Sequence, residues 1–154
     1  MNSYLLALLI CAGVALLEGV CAGRDSMAQL RRLRQPGWSP PSFVWILIGL
    51  FWYAICFTAL VRLLPTYNQN ATSVWLLIGL MAANAVANVP QFRMRRLDIA
   101  FLYLLPYWVL LGAFIWSIRG LDSVTLALFG IYSVYQLYAA AWVWSLWQMN
   151  KTVR

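Results

Sequence analysis

Catalysis needs groups that hold or move protons, and this chain is short of them. Among 154 residues there are four acidic side chains, Glu18, Asp25, Asp98 and Asp122, and no histidine. Without imidazole there is no His-based metal site, no His-ligated haem and no Ser-His-Asp relay. No hydroxyl or thiol nucleophile is paired with a base, so no catalytic residue is assigned and the chain is read as a non-enzyme with no metal and no obligatory cofactor. Cys11, Cys21 and Cys56 all fall in apolar stretches without Cys-x-x-Cys spacing and read as small packing residues.

What the sequence offers instead is rings and amides. Trp38, Trp45 and Trp52 recur every seven residues, which on a helix puts the last two near one face, with Trp38 in the loop above. Tyr132, Tyr135 and Tyr138 follow at three-residue spacing, then Trp142, with Ala139, Ala140 and Ala141 between. Phenols stacked along a helix can line a cavity with hydroxyls as well as rings. Asn84, Asn88 and Gln91 stand at i, i+4 and i+7, a polar face that must turn inward in lipid. Each group has two readings: helix packing and interfacial anchoring, or the walls and polar anchor of a site for a flat, apolar ligand. Glu18, about a turn from the end of its segment, is either a functional ionisable group or snorkels toward Arg24.

The elements that must position these residues are membrane helices. The chain is 64% hydrophobic and only 10% charged, with mean hydropathy +0.75, the composition of an integral membrane protein. Apolar runs at approximately 4–23, 42–64, 73–92, 99–118 and 123–149 predict an all-α bundle of five transmembrane helices, a single domain over 1–154 with a loop at 24–41. The first run lacks a basic n-region and a small-residue cleavage site, so it is read as a retained helix. Its Gly19-x-x-x-Gly23 permits close helix approach. Leu30 and Leu33 among arginines fit a short interfacial helix in the loop. Pro36, Pro40 and Pro41 bar a helix from the next stretch, and Ser39 is placed to cap the one that follows. Asn68-Gln69-Asn70 reads as an outer turn. Pro90 and Pro106 predict kinks, and Asp98 suits an N-cap.

The net charge of +7 is distributed as topology dictates. With the N-terminus outside, the inner side carries Arg24, Arg31, Arg32, Arg34, Arg93, Arg95, Arg96, Lys151 and Arg154, against Arg62 and Arg119 outside. This bias places the proline loop and C-terminus in the cytoplasm of a bacterial-type inner membrane. Arginines confined to loops argue for membrane lipid as their partner and against nucleic acid.

Taken together, these features resemble the TspO/MBR family: the translocator proteins, also called tryptophan-rich sensory proteins or peripheral benzodiazepine receptors. Pro36-x-Trp38-x-Pro40-Pro41 is similar to the family's Lys-Pro-x-Trp-x-Pro-Pro loop. Tyr53 falls on the Leu-Tyr of its second helix, Asn84 on the Asn of its third-helix Asn-x-x-Trp, Tyr132 on its fifth-helix Pro-Tyr, and Asn150 on its terminal asparagine. The resemblance implies a five-helix bundle, often dimeric, with a pocket under the proline loop for porphyrins. On that basis Trp38 is expected as lid, Tyr53, Tyr132 and Tyr135 as walls and Asn84 as anchor, with Asn88 and Tyr138 beside them. The implied ligand is a tetrapyrrole or carotenoid-like lipid, and the implied role sensory, regulatory or translocating. The sequence departs from the pattern at Gln35, Gly49, Ala87, Tyr135, Tyr138 and Val143. Gly49 and Tyr135 replace the family tryptophans implicated in porphyrin breakdown, which implies no degrading activity. The alternative reading is a structural or assembly subunit that packs on a larger membrane complex through Trp108, Trp116, Trp144 and Trp147.

Overall fold

The computed structural model describes residues 2–151, so Arg154 lies outside the described residues. These form α1 (Ser3–Ala22), α2 (Ser26–Arg32), α3 (Ser42–Leu63), α4 (Tyr67–Val86), α5 (Leu97–Leu102), α6 (Leu104–Ile118) and α7 (Ser123–Asn150), with no strand among them. A 3-10 turn at Leu64–Thr66 joins α3 to α4, and a π turn at Val89–Arg93 follows α4. Four helical stretches are long and apolar enough to cross a bilayer: Ser3–Ala22, Ser42–Arg93, Leu97–Ile118 and Ser123–Asn150.

The second of these has 52 residues, which as a straight rod would reach about 80 Å, far beyond the ~30 Å of a hydrocarbon core. It folds back instead. Arg62 at the end of α3 pairs with Asp122 at the start of α7, while Arg34 before α3 is held by Asn150 at the end of α7, so α3 and α7 are antiparallel. The Ser73 hydroxyl at the start of α4 donates to the Ser117 carbonyl of α6, and Tyr103 donates back to Ala83. Arg93, just beyond α4, reaches the carbonyls of Val20 and Cys21 at the end of α1. Helix α4 therefore ends beside α2 and the proline loop, where α3 begins.

Prolines mark the breaks. Pro106 has no N–H for the Leu102 carbonyl, and the helix is interrupted one turn earlier, at Tyr103 between α5 and α6. Pro90 likewise leaves Val86, where α4 ends, and the π turn takes over with Met94 donating to Val89. The short helix expected in the first loop is α2, and it buries Leu30.

Several local expectations are corrected. Ser39 does not cap α3: the cap position falls on Pro41, without a side-chain bond. Asp98 lies inside the first turn of α5 rather than at its cap, which is Arg96, and the two form an ion pair. The turn expected at Asn68–Asn70 lies at Leu64–Thr66 instead. Those polar residues open α4, with a kink at Asn70, whose side-chain amide donates to the Thr66 hydroxyl. Gly19 meets no atom within 4 Å at the position of a Cβ, so close helix approach within the chain is not its use.

The main core gathers Trp52, Leu60, Leu77, Met81, Phe114, Phe129 and Tyr132 between α1, α3, α4, α6 and α7. A smaller cluster of Leu30, Ala100, Trp142, Val143 and Leu146 sits at the proline-loop end. Cys11, Cys21 and Cys56 are buried and unbridged, as packing residues should be.

Candidate ligand-binding site

Helix α7 carries a ladder of rings that climbs from the core to the proline loop. Tyr132, 3% exposed, stacks on Trp52 at 4.4 Å between centroids. Tyr135 follows at 5.9 Å and Tyr138 at 6.4 Å, and Trp38 closes the series edge-on to Tyr138 at 5.4 Å. The seven-residue tryptophan spacing is matched to this helix at every step: Trp38 meets Tyr138, Trp45 meets Trp142 at 4.4 Å, and Trp52 meets Tyr132. Most of the aromatic wall is thus spent on packing α3 and its loop against α7. Each such pair contributes on the order of 1 kcal/mol beyond area burial.

Two polar ties accompany the rings. The Tyr107 and Tyr132 hydroxyls share a hydrogen bond of 2.6 Å in the core, and the Gln136 side-chain amide also donates to Tyr132. A buried phenol in lipid must find such partners. The Tyr53 hydroxyl donates to the Glu18 carboxylate at 2.6 Å, so Glu18 turns to α3 and not to Arg24. The Trp52 indole N–H, on a side chain 4% exposed, finds no acceptor among the described residues.

The chain of the proline loop is fastened on both sides of Trp38. Gln35 donates to the Leu30 carbonyl at 2.8 Å and accepts from Ser39 at 3.0 Å; Ser39 in turn accepts from the Trp142 indole at 3.0 Å. The Asn150 side chain accepts from the Arg34 N–H at 3.0 Å and donates to the Arg34 carbonyl at 3.1 Å. Trp38, by contrast, is 48% exposed, touches Tyr138 by an edge, and accepts a long 3.4 Å bond from Tyr138 at its carbonyl.

The seven residues singled out by sequence are therefore not gathered into one space. Trp38, Tyr132, Tyr135 and Tyr138 share the ladder, and Tyr53 is half-buried against the same core. Asn84 lies half-buried on α4 and Asn88 half-buried just past its end, where the Asn88 amide donates to the carbonyls of Asn84 and Ala85 instead of reaching a ring. Tyr138, half-buried, stands under the loop edge-on to Trp38. The sequence reading missed Gln136, and took Tyr107 only as part of a kink.

No curated protein matches the chain closely enough to count as a relative. Comparison with family profiles matches residues 7–148, nearly the whole chain, to the TspO/MBR family. With its four helical stretches long and apolar enough to cross a bilayer, the chain is an integral membrane protein and belongs to the TspO/MBR family.

Proposed function

We propose that the chain is a non-catalytic TspO-like protein that binds a flat hydrophobic ligand, a tetrapyrrole or a carotenoid-like lipid, beneath the proline loop, with a sensory, regulatory or translocating role. In this reading it is one domain of five crossings in a bacterial inner membrane, its N-terminus outside and its C-terminus cytoplasmic, as the arginine distribution favours. The observation that carries the reading is the contrast within the loop: its chain is pinned at Arg34, Gln35 and Ser39, on both sides of Trp38, while the Trp38 ring itself hangs on an edge contact. Such a ring can swing away as a lid at little cost. Below it the ligand would meet Tyr138, Tyr135 and Tyr132, and the unpaired Trp52 indole N–H is a donor for a polar edge. Tyr53 completes the wall, and Asn84 and Asn88 lie on the α4 side. Adding protoporphyrin to the purified protein is expected to quench tryptophan fluorescence saturably, and Trp38→Ala to weaken the affinity several-fold. A titration that neither saturates nor responds to Trp38→Ala sinks the reading.

A second reading is favoured by one specific observation, the contact of the bulky Tyr138 ring with Trp38 directly under the loop. It makes the protein a structural or assembly subunit of a homodimer or a larger membrane complex, docked through rings such as Trp116 and Trp144, which are 66% and 44% exposed. Purification in mild detergent separates the two: a partner in fixed ratio supports docking, and a chain running alone with bound pigment supports ligand binding.

A further inference from the structure

At the proline-loop end, two hollows of about 910 and 510 Å³ share Gln29, Phe92 and Arg95 and so form one trough under α2. The larger opens along the outer face of α1, past Gly19 and the exposed side chains of Leu16 and Val20. A Cβ at Gly19 would meet nothing within 4 Å, so this face of α1 is a groove with no occupant from the chain itself. The groove runs from apolar surface into charge: Arg24, Arg93 and Arg95 line its upper end against a single carboxylate, Asp25, and the smaller hollow adds Arg32 and Arg34.

These arginines are not equivalent. Arg93 is committed to the Val20 and Cys21 carbonyls, closing the end of α1. Among the described residues the ion pairs are Arg62 with Asp122 and Arg96 with Asp98, which leaves Arg24 and Arg95 exposed and uncompensated. Arg95 also has φ +54, in the left-handed region where a non-glycine residue is strained, and the Arg96 N–H donates to the Pro90 carbonyl across the turn. Strain of this kind persists where the surrounding structure fixes the residue.

We propose that this trough binds one anionic phospholipid, its phosphate between Arg24 and Arg95 and one acyl chain laid over Gly19 between Leu16 and Val20. A basic pocket opening onto an apolar helix face at the membrane surface is the arrangement that selects a negative headgroup with its tail still in hydrocarbon. A zwitterionic lipid brings its own cation to the same arginines and gains less. The site is separate from the ring ladder of α7, with which the trough shares no residue.

The test is native mass spectrometry of the full chain in detergent, loaded with phosphatidylglycerol or with phosphatidylcholine of the same acyl chains. Phosphatidylglycerol is expected to be retained at least five-fold better. Arg24→Gln with Arg95→Gln should reduce it to the phosphatidylcholine level, while Arg119→Gln, at the opposite end, leaves it unchanged. Gly19→Leu fills the groove without meeting another atom at its Cβ, and is expected to cut retention with the arginines intact. Equal retention of the two lipids overturns the proposal. So does equal loss with Arg119→Gln, or displacement of the lipid by millimolar inorganic phosphate, which would mark a simple anion site.

Discussion

Tyr132 answers to three neighbours at once: Trp52 on its face, Tyr107 and Gln136 at its hydroxyl. Removing one of them should expose the hierarchy. Tyr107→Phe leaves the Gln136 bond in place and is expected to cost about 1 kcal/mol. Gln136→Leu is expected to cost a similar amount, and the pair together more than the sum, because each single change leaves the other partner to the Tyr132 oxygen and only the double change strands it. Thermal unfolding in a fixed detergent measures this, and strict additivity would show that the three groups do not act as a network. Tyr138 makes the opposite case. It stands against the underside of Trp38, and as a plug that a ligand must push past it would make Tyr138→Ala raise tetrapyrrole affinity about five-fold, the ~1 kcal/mol of one ring contact recovered. Unchanged or weaker binding would mean that Tyr138 is a wall and not a plug. The sequence made the three tyrosines legible as a series but not their different depths. Three-residue steps fall 60° short of a full turn each, so burial declines from Tyr132 to Tyr135 to Tyr138, while Gln136, Ala140 and Val143 keep to the inner face. Periodicity alone could not say which phase faced the core, because in lipid both sides of a helix are apolar.

Helix ends and breaks were the most readable elements, because proline acts through backbone geometry that tertiary context cannot override. Pro36, Pro90 and Pro106 each stand at an interruption. Caps were less readable: Ser39 and Asp98 are capping residue types diverted by stronger partners, Trp142 with Gln35 in one case and Arg96 in the other. Polar Asn68 and Gln69 were read as loop because polarity at a membrane surface does not distinguish a turn from the first turn of a helix. Asp122 is the cap that does form. It accepts from the Val124 and Thr125 N–H groups and from Arg62, whose hydrogen bond holds the Asp122 carboxyl well below its usual range, with the Thr125 hydroxyl adding to the effect and burial opposing it. A depressed folded value stabilises above the unfolded value, near 3.8, and the contribution is lost as pH falls toward the folded one. Asp122→Ala is therefore expected to destabilise by about 1 kcal/mol at pH 7 through loss of the cap, and by progressively less below pH 4. A deficit that does not shrink on acidification would place the effect in the N-cap bonds of the neutral acid alone.

At the scale of the whole molecule, the number of crossings depends on what happens between Ser42 and Arg93. The stretch is continuous in helical backbone, yet its two halves run in opposite directions, as the ties of α3 to α7 and of α4 to α1 and α6 require. Hydropathy suggested the division because each half is itself long enough for ~30 Å of hydrocarbon, and a 3-10 turn can reverse a chain without leaving its hydrogen bonds unmade. Two crossings here would make five in all, an odd number, which would put the chain ends on opposite sides and the Leu64–Thr66 turn on the side away from Lys151. In a background with Cys11, Cys21 and Cys56 changed to alanine, Asn68→Cys is expected to react with a membrane-impermeant maleimide on intact cells, since Asn68 is exposed next to the turn. Lys151→Cys is expected to react only after permeabilisation, on the side where Arg24 to Arg34 and Arg93 to Arg96 gather. If the stretch crossed once, Asn68 would lie in hydrocarbon and stay unlabelled under both conditions. If instead Lys151→Cys labels on intact cells and Asn68→Cys only after permeabilisation, the arginine bias does not set the orientation, and the lipid-facing arginines of the trough would have to meet the outer leaflet.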